Sequence, residues 1–342
     1  HHPVRRRCNE TGPLADVSRE SRSHPDPRAG GNAITISGTD SLGAMTDNPF
    51  GRMITAMVTP MKSDGSIDYD AVQALAAHLV DNGHDGLVVN GTTGESATTT
   101  DEENVATIKA VVEAVGDRVP VTAGVGTNDT AHSVAAAKAL VGAGADNVLV
   151  VTPYYNKPPQ DGIVEHVRAI AQAADVPVML YDIPGRTATP FAVETLVALA
   201  DHERIVAVKD AKGDLWAASQ VMAATDLLWY SGADEHNLAH LAQGAYGVVS
   251  VVGHVAGREY RAMIEAVDAG DLATAREIHH RLIPVTNALM STSQGAIMAK
   301  AALVELGVIE HAAVRLPYVE GPAEHLEIVR NGLAASGIGG AA

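Results

Sequence analysis

The sequence predicts an α/β protein, a (β/α)8 TIM barrel with a C-terminal helical appendage. Three observations carry this. Eight short apolar runs of β type recur between residues 53 and 251. Segments of helical period separate them, and strand–helix alternation demands right-handed crossovers and a parallel sheet. After roughly residue 257 the β signal stops while the helical period continues. Eight strand–helix units spread over about 200–250 residues match a closed barrel. A doubly wound open sheet is the competing architecture. It needs a glycine-rich phosphate turn after an early strand, and no such turn is present.

Strands are expected at residues 53–58, 86–89, 120–123, 147–151, 177–181, 205–208, 227–230 and 247–251. After the first, Val72, Leu75, Ala76, Leu79 and Val80 fall at i, i+3, i+4, i+7 and i+8, one face of a helix. The next helix opens with Thr100 and has Glu103 three residues on, a capping-box arrangement, with Val105, Ile108, Val112 and Val115 on its apolar face. Beyond the last strand, helices are expected around 258–269, 271–290, 292–307 and 321–335, with Gly270, Gly307 and Gly321-Pro322 as breaks.

Residues 1–44 differ from the rest. Arg5-Arg6-Arg7, His24-Pro25-Asp26-Pro27 and Gly30-Gly31 stand among Ser, Thr and Asn, a composition unable to bury enough surface to offset ordering entropy. The expected organisation is therefore a disordered extension over 1–44, a barrel core over 45–257, and the last barrel helix with the helical region over 258–342. Met45 is a plausible natural start, which makes the extension an upstream addition. A transit peptide is the alternative, and Glu10, Asp16, Glu20 and Asp26 weigh against it.

The formal charge of −17 argues against nucleic acid or an anionic membrane as partner. No apolar run approaches the roughly 18–20 residues that span a bilayer. Cys8 is the only cysteine, so no intrachain disulfide or cysteine metal site is possible, as suits a reducing cytoplasm. His236 with His240 and the pair His279-His280 are the closest histidine pairs. Neither has an adjacent third ligand, so a solvated or packed role fits better than metal binding. No nucleotide or other cofactor motif is apparent, and the expected cofactor is none.

In this barrel class the active site lies at the carboxyl ends of the strands. The run Ile205-Val206-Ala207-Val208-Lys209-Asp210 puts a lysine at the mouth of a strand buried on both faces. Desolvation lowers an ammonium pKa from its free value near ~10.4 toward the ~7–8 at which an amine nucleophile works. Lys209 is thus a candidate Schiff-base lysine. By itself the segment fits a structural ion pair with Asp210 or a nearby carboxylate equally well. The other strand ends add Thr92 and Thr93 between glycines, Tyr154 and Tyr155, Tyr181 and Arg186. Phenols relay protons without carrying charge at neutral pH, and a guanidinium grips a carboxylate with two hydrogen bonds. Taken singly, each has a plainer reading: rim packing for the tyrosines, a surface cation for Arg186, capping of the next turn for the threonines. Their gathering at the strand ends of one face is what points to chemistry.

The segments Gly91-Thr92-Thr93-Gly94-Glu95-Ser96, Thr152-Pro153-Tyr154-Tyr155-Asn156, Tyr181-Asp182-Ile183-Pro184-Gly185-Arg186-Thr187 and Val206-Ala207-Val208-Lys209-Asp210-Ala211 resemble the motifs of the dihydrodipicolinate synthases. That family, now called 4-hydroxy-tetrahydrodipicolinate synthase, belongs to the pyruvate-dependent lyases and aldolases. The resemblance runs from about residue 52 to near the C-terminus. It implies that Lys209 forms an imine with pyruvate and that the derived enamine adds to L-aspartate-4-semialdehyde, a step of lysine and diaminopimelate biosynthesis. It further implies that Thr92 and Thr93 hold the pyruvate carboxylate and that Tyr181 moves protons, linked through Thr92 to Tyr155. Arg186 would bind the semialdehyde carboxylate. Gly232 and Val249 would line the pyruvate pocket, Val249 through its backbone. The tyrosine at the Tyr155 position reaches a neighbouring site across a dimer interface in this family, so a cytoplasmic homodimer or homotetramer (a dimer of dimers) is implied.

Two departures from the pattern stand out. Lys212 occupies a place where many relatives carry Thr, Ser or Gly. A second ammonium there would help keep Lys209 neutral, but a solvent-facing lysine fits better. At the positions of the lysine-inhibited relatives' histidines this chain has Asp101 and Asn104, and at their glutamate it has His132. Loss of that carboxylate implies weak or absent feedback inhibition by L-lysine. The rivals are related aldolases acting on 2-keto-3-deoxy-sugar acids or sialic acid, which generally lack an arginine at the Arg186 position, and a non-catalytic keto-acid sensor.

Overall fold

A computed structural model describes residues 48–339, so the separate segment expected over 1–44 lies outside the described residues. Eight strands, β1 (Met53–Ala56), β2 (Gly86–Val89), β3 (Val121–Gly124), β4 (Asn147–Val151), β5 (Val178–Asp182), β6 (Ile205–Asp210), β7 (Leu228–Ser231) and β8 (Gly247–Ser250), close in sequence order into a barrel. Every pairing is parallel, and β8 returns to β1 with Val248 opposite Met53. The expected strands thus all form, with ends shifted by at most two residues. The shift that matters is in β6, which continues through Lys209 and Asp210 and so fixes both in the sheet.

Helices follow the strands: α1 (Tyr69–Asp81), α2 (Asp101–Val115), α3 (Thr130–Gly142), α4 (Gln160–Ala174), the single turn α5 (Pro184–Thr187), α6 (Val193–Leu199), α7 (Leu215–Ala224), α8 (Asn237–Ala242) and α9 (Gly253–Asp268). Side chains that relieve the orphan N–H groups at helix starts set several of these boundaries. Asp68, Asp129 and Asp214 each accept a hydrogen bond from the first turn of α1, α3 and α7. The capping box expected at α2 is present in both directions. Val72, Leu75, Ala76 and Leu79 are buried on α1, as their spacing requires.

Alternation along each strand divides the core into two layers. Ile54, Val88, Leu149, Met179, Tyr181, Ala207, Tyr230 and Val249 point into the barrel. Their neighbours Leu87, Val89, Val148, Val150, Leu180 and Val208 meet the helices outside. Phe50 packs edge-on against Tyr230, whose hydroxyl donates to the Gly51 carbonyl at 2.8 Å, and this closes the amino-terminal end.

The appendage is α10 (Leu272–Met290), α11 (Gly295–Glu305) and α12 (Ala323–Ala335). Leu282, Val285, Ala288 and Leu289 of α10 pack with Val329 and Leu333 of α12 and with Met298 and Ala302 of α11. Gly332 permits the close α10–α12 approach, since a Cβ there would fall 2.7 Å from that of Ala288. The last barrel helix starts at Gly253, five residues earlier than its apolar period shows, with non-helical backbone at Ala256.

Candidate active site

Parallel pairing aligns β5 and β6 so that Tyr181 lies opposite Lys209 and Asp182 opposite Asp210. Tyr181 and Ala207 face the barrel interior, and Lys209, two residues beyond Ala207, shares that face. Lys209 Nζ stands 4.0 Å from the centroid of the Tyr181 ring. The lysine is only 4% exposed, and burial is the main reason its pKa falls from 10.5 to about 7. Asp234 opposes that fall and the Arg186 charge adds to it. The ion pair with Asp210, open on sequence grounds, is excluded by alternation. Asp210 points to the outer layer, where its carboxylate accepts from the N–H groups of Lys212 (2.8 Å) and Gly213 (3.3 Å) and stands 3.5 Å from His240 Nε2.

Burial pushes the Tyr181 phenol up to about 12, against the smaller opposing effects of Arg186 and of a hydrogen bond with Thr92. Tyr181 therefore stays protonated at neutral pH. Thr92 belongs to a tight turn in which the N–H groups of Gly94 and Ser96 donate to Gly91 O, and that of Glu95 to Thr92 O. Thr59 Oγ1 donates to Gly94 O at 2.7 Å and anchors the turn to the loop after β1. Thr93 is buried in it.

A cavity of about 660 Å³ opens above these groups, and its wall includes Thr92, Tyr154, Tyr181, Ile183 and Arg186. Lys209 lies outside that wall, next to Tyr181. Arg186, on the α5 turn, is exposed, and its Nη2 donates to Gln294 Oε1 at 2.9 Å. Gly232 donates its N–H to Asp210 O at 2.7 Å, and a Cβ at this position would fall 2.8 Å from Lys209 Cγ. Val249 is buried in the barrel interior on β8, its backbone in register with Ile54. Tyr155 stands apart. It is 87% exposed, has a φ of +74°, and takes no part in the cavity wall.

Asp234, just after β7 and not singled out among the strand-end residues, is a structural hub. Its carboxylate accepts from Ser250 Oγ, from Asn237 Nδ2 at 3.0 Å, and from the Val251 and Val252 N–H groups at 2.9 Å each. It thereby locks the β8 exit to the β7 exit beside Lys209. The one available signal was a carboxylate two residues beyond Gly232 at a strand mouth. Lys212 neither adjoins Lys209 electrostatically nor faces solvent freely. Its Nζ donates to Phe191 O at 3.3 Å, and its charge acts on Asp182, whose pKa burial raises to about 7. His236 and His240 meet edge-on, and among the described residues no three His, Cys, Asp or Glu side chains gather as a metal site.

Residues 49–336 match the sequence model of the Dihydrodipicolinate synthetase family. The chain is 57% identical over 290 residues to the 4-hydroxy-tetrahydrodipicolinate synthase of Kineococcus radiotolerans, covering 85% of this chain and 94% of the relative. It is 56% identical over 290 residues to synthase 2 of Streptomyces coelicolor, covering 85% and 96%. Among solved structures, the dihydrodipicolinate synthase of Cyanidioschyzon merolae with lysine bound superposes with a TM-score of 0.82 at 44% identity, covering 85% of this chain and 99% of that one. The enzyme of Bacillus anthracis gives 0.81 at 41% identity, covering 83% and 98%.

Proposed function

The chain belongs to the dihydrodipicolinate synthetase family, and from that premise we infer that it condenses pyruvate with L-aspartate-4-semialdehyde through an imine on Lys209. The product is 4-hydroxy-tetrahydrodipicolinate, and the enzyme is a lyase of lysine and diaminopimelate biosynthesis. One observation carries the assignment of the nucleophile: a buried amine with a pKa of about 7 beside a protonated phenol at the carboxyl end of the barrel.

In the proposed mechanism the neutral Lys209 amine adds to the pyruvate carbonyl carbon, and the adduct loses water to give the imine. Loss of a proton from the pyruvate methyl yields the enamine. Its carbon attacks the semialdehyde aldehyde, forming the new C–C bond. The semialdehyde nitrogen then displaces Lys209 from the imine carbon, which closes the ring and frees the enzyme. One water leaves overall. Tyr181, kept as a phenol, donates to and accepts from the reacting oxygens and is backed by the Thr92 hydroxyl. Thr92 and Thr93 hold the pyruvate carboxylate, Arg186 the semialdehyde carboxylate, and Gly232 and Val249 shape the pocket. Both substrates are anions and the chain carries −17. Screening limits that repulsion to about 8–10 Å, so the local cations Lys209 and Arg186 prevail.

The exposure of Tyr155 and its left-handed backbone support the reading that it completes a partner copy's site in a homodimer or a homotetramer of two dimers. No helix among the described residues is long and apolar enough to cross a membrane, which fits a cytoplasmic enzyme acting on small anions. The test is turnover of the purified protein with pyruvate and L-aspartate-4-semialdehyde, with Lys209→Ala as control. Turnover abolished in the variant is expected. A pyruvate imine that forms without turnover of the semialdehyde would move the assignment to a sugar-acid lyase or a sensor.

A further inference from the structure

Glu95 and Lys300 form an ion pair at 2.6 Å with side chains 1% and 0% exposed. Lys300 belongs to α11, outside the eightfold β/α repeat, whereas Glu95 belongs to the turn that carries Thr92 and Thr93. Each carboxylate oxygen has its own partner: Oε2 accepts from Lys300 Nζ, and Oε1 from the Arg315 N–H at 3.0 Å. Lys300 also donates to Ala313 O at 2.7 Å, which binds the chain after α11 to the same point. Arg315 extends the tie, with two 2.6 Å bonds to Glu103 and others to Thr98 O and Gly65 O.

Stability alone is a poor reason for such a pair. Desolvating two ions roughly cancels their attraction, and apolar replacements of buried pairs are often as stable. What the pair does provide is direction. Glu95 has a φ of +60°, unusual for a residue with a side chain, and its N–H donates to the Thr92 carbonyl at 3.1 Å. Whatever fixes the Glu95 carboxylate also fixes the peptide that holds Thr92 against Tyr181.

We propose that Glu95 and Lys300 are positioning residues for the reaction: helix α11 holds the Thr92–Thr93 turn in the geometry that receives the pyruvate carboxylate. The inference rests on the functional reading above. The pair touches neither substrate, and it acts through the turn alone.

The experiment compares wild type, Lys300→Met and the double variant Glu95→Gln/Lys300→Met. The double variant removes both charges, so it leaves no uncompensated ion in the core. Wild type is first treated with pyruvate and borohydride. Absence of a trapped adduct would remove the functional reading itself, and the inference with it. With trapping established, the double variant is expected to fold and to show a pyruvate KM raised roughly ten- to hundredfold, as for a misplaced binding group. Its KM for the semialdehyde should stay within about twofold, a split that general loosening would not produce. An unchanged pyruvate KM, or an equal rise in both KM values, would overturn the proposal. So would failure of the double variant to fold, because the pair would then serve folding and not the site.

Discussion

Tyr181 and Lys209 are register partners on adjacent parallel strands, and that pairing holds the amine 4.0 Å from the centre of the phenol ring. The same register brings Asp182 opposite Asp210 on the outer face. One hydrogen-bonded ladder thus sorts four polar groups, two from each strand, into a reacting pair inside the barrel and a structural pair outside it.

Lys209 has a folded pKa depressed to about 7 from 10.5, so the nucleophilic form predominates above pH 7. Initial rates of pyruvate imine formation should rise about tenfold per pH unit below that value and level off above it. For stability, the unfolded chain binds the extra proton between about 7 and 10.5. The penalty for burying this amine is therefore full below pH 7 and relieved as pH rises through that window. A rate that keeps climbing to pH 10 would contradict the assignment.

Tyr181→Phe removes the phenol hydroxyl and keeps the ring over Lys209. The expected loss in kcat is roughly 10²- to 10⁴-fold, the range for one proton-transfer group. The melting temperature should change little. Near-normal kcat would mean that protons travel through other groups.

Gly232→Ala places a methyl 2.8 Å from Lys209 Cγ and 3.1 Å from the Asp210 backbone. Overpacking of this kind destabilises by about 1–3 kcal/mol. Catalysis should suffer more than stability, because the side chain that must yield is the nucleophile itself. Wild-type kcat/KM in a destabilised variant would show that Lys209 has room to spare.

Arg186 ties the α5 turn to the start of α11, its Nη2 donating to Gln294 Oε1 at 2.9 Å. Arg186→Ala should raise the semialdehyde KM roughly ten- to hundredfold, as expected for a lost charged hydrogen bond, with pyruvate imine formation intact. Gln294→Ala should act in the same direction and more weakly. Unchanged semialdehyde kinetics in Arg186→Ala would sink the assignment.

His132 Nε2 lies 3.0 Å from both carboxylate oxygens of Asp101, an exposed pair joining α2 and α3. His132 itself offers the α-ammonium of L-lysine no carboxylate, and the one beside it, on Asp101, is already engaged by the imidazole. Steady-state rates should be nearly insensitive to L-lysine, and half-inhibition at sub-millimolar concentration would overturn this.

The sequence by itself determined the barrel, because strands buried on both faces must be apolar throughout and helices packed on one side must repeat every three to four residues. It also determined which residue types stand at the strand ends, and so Lys209, Tyr181, Thr92 and Arg186 are legible as candidates in the sequence alone. Tertiary structure decided which of them meet. Whether Lys209 pairs with Asp210 or faces Tyr181 depends on β6 running on through both residues, which a two-residue uncertainty in a strand end conceals. The roles of Asp234, and of Glu95 with Lys300, were invisible for a different reason. Glu95 and Lys300 are separated by 205 positions, and no local period or spacing records a contact that exists only once α11 has folded back onto the barrel.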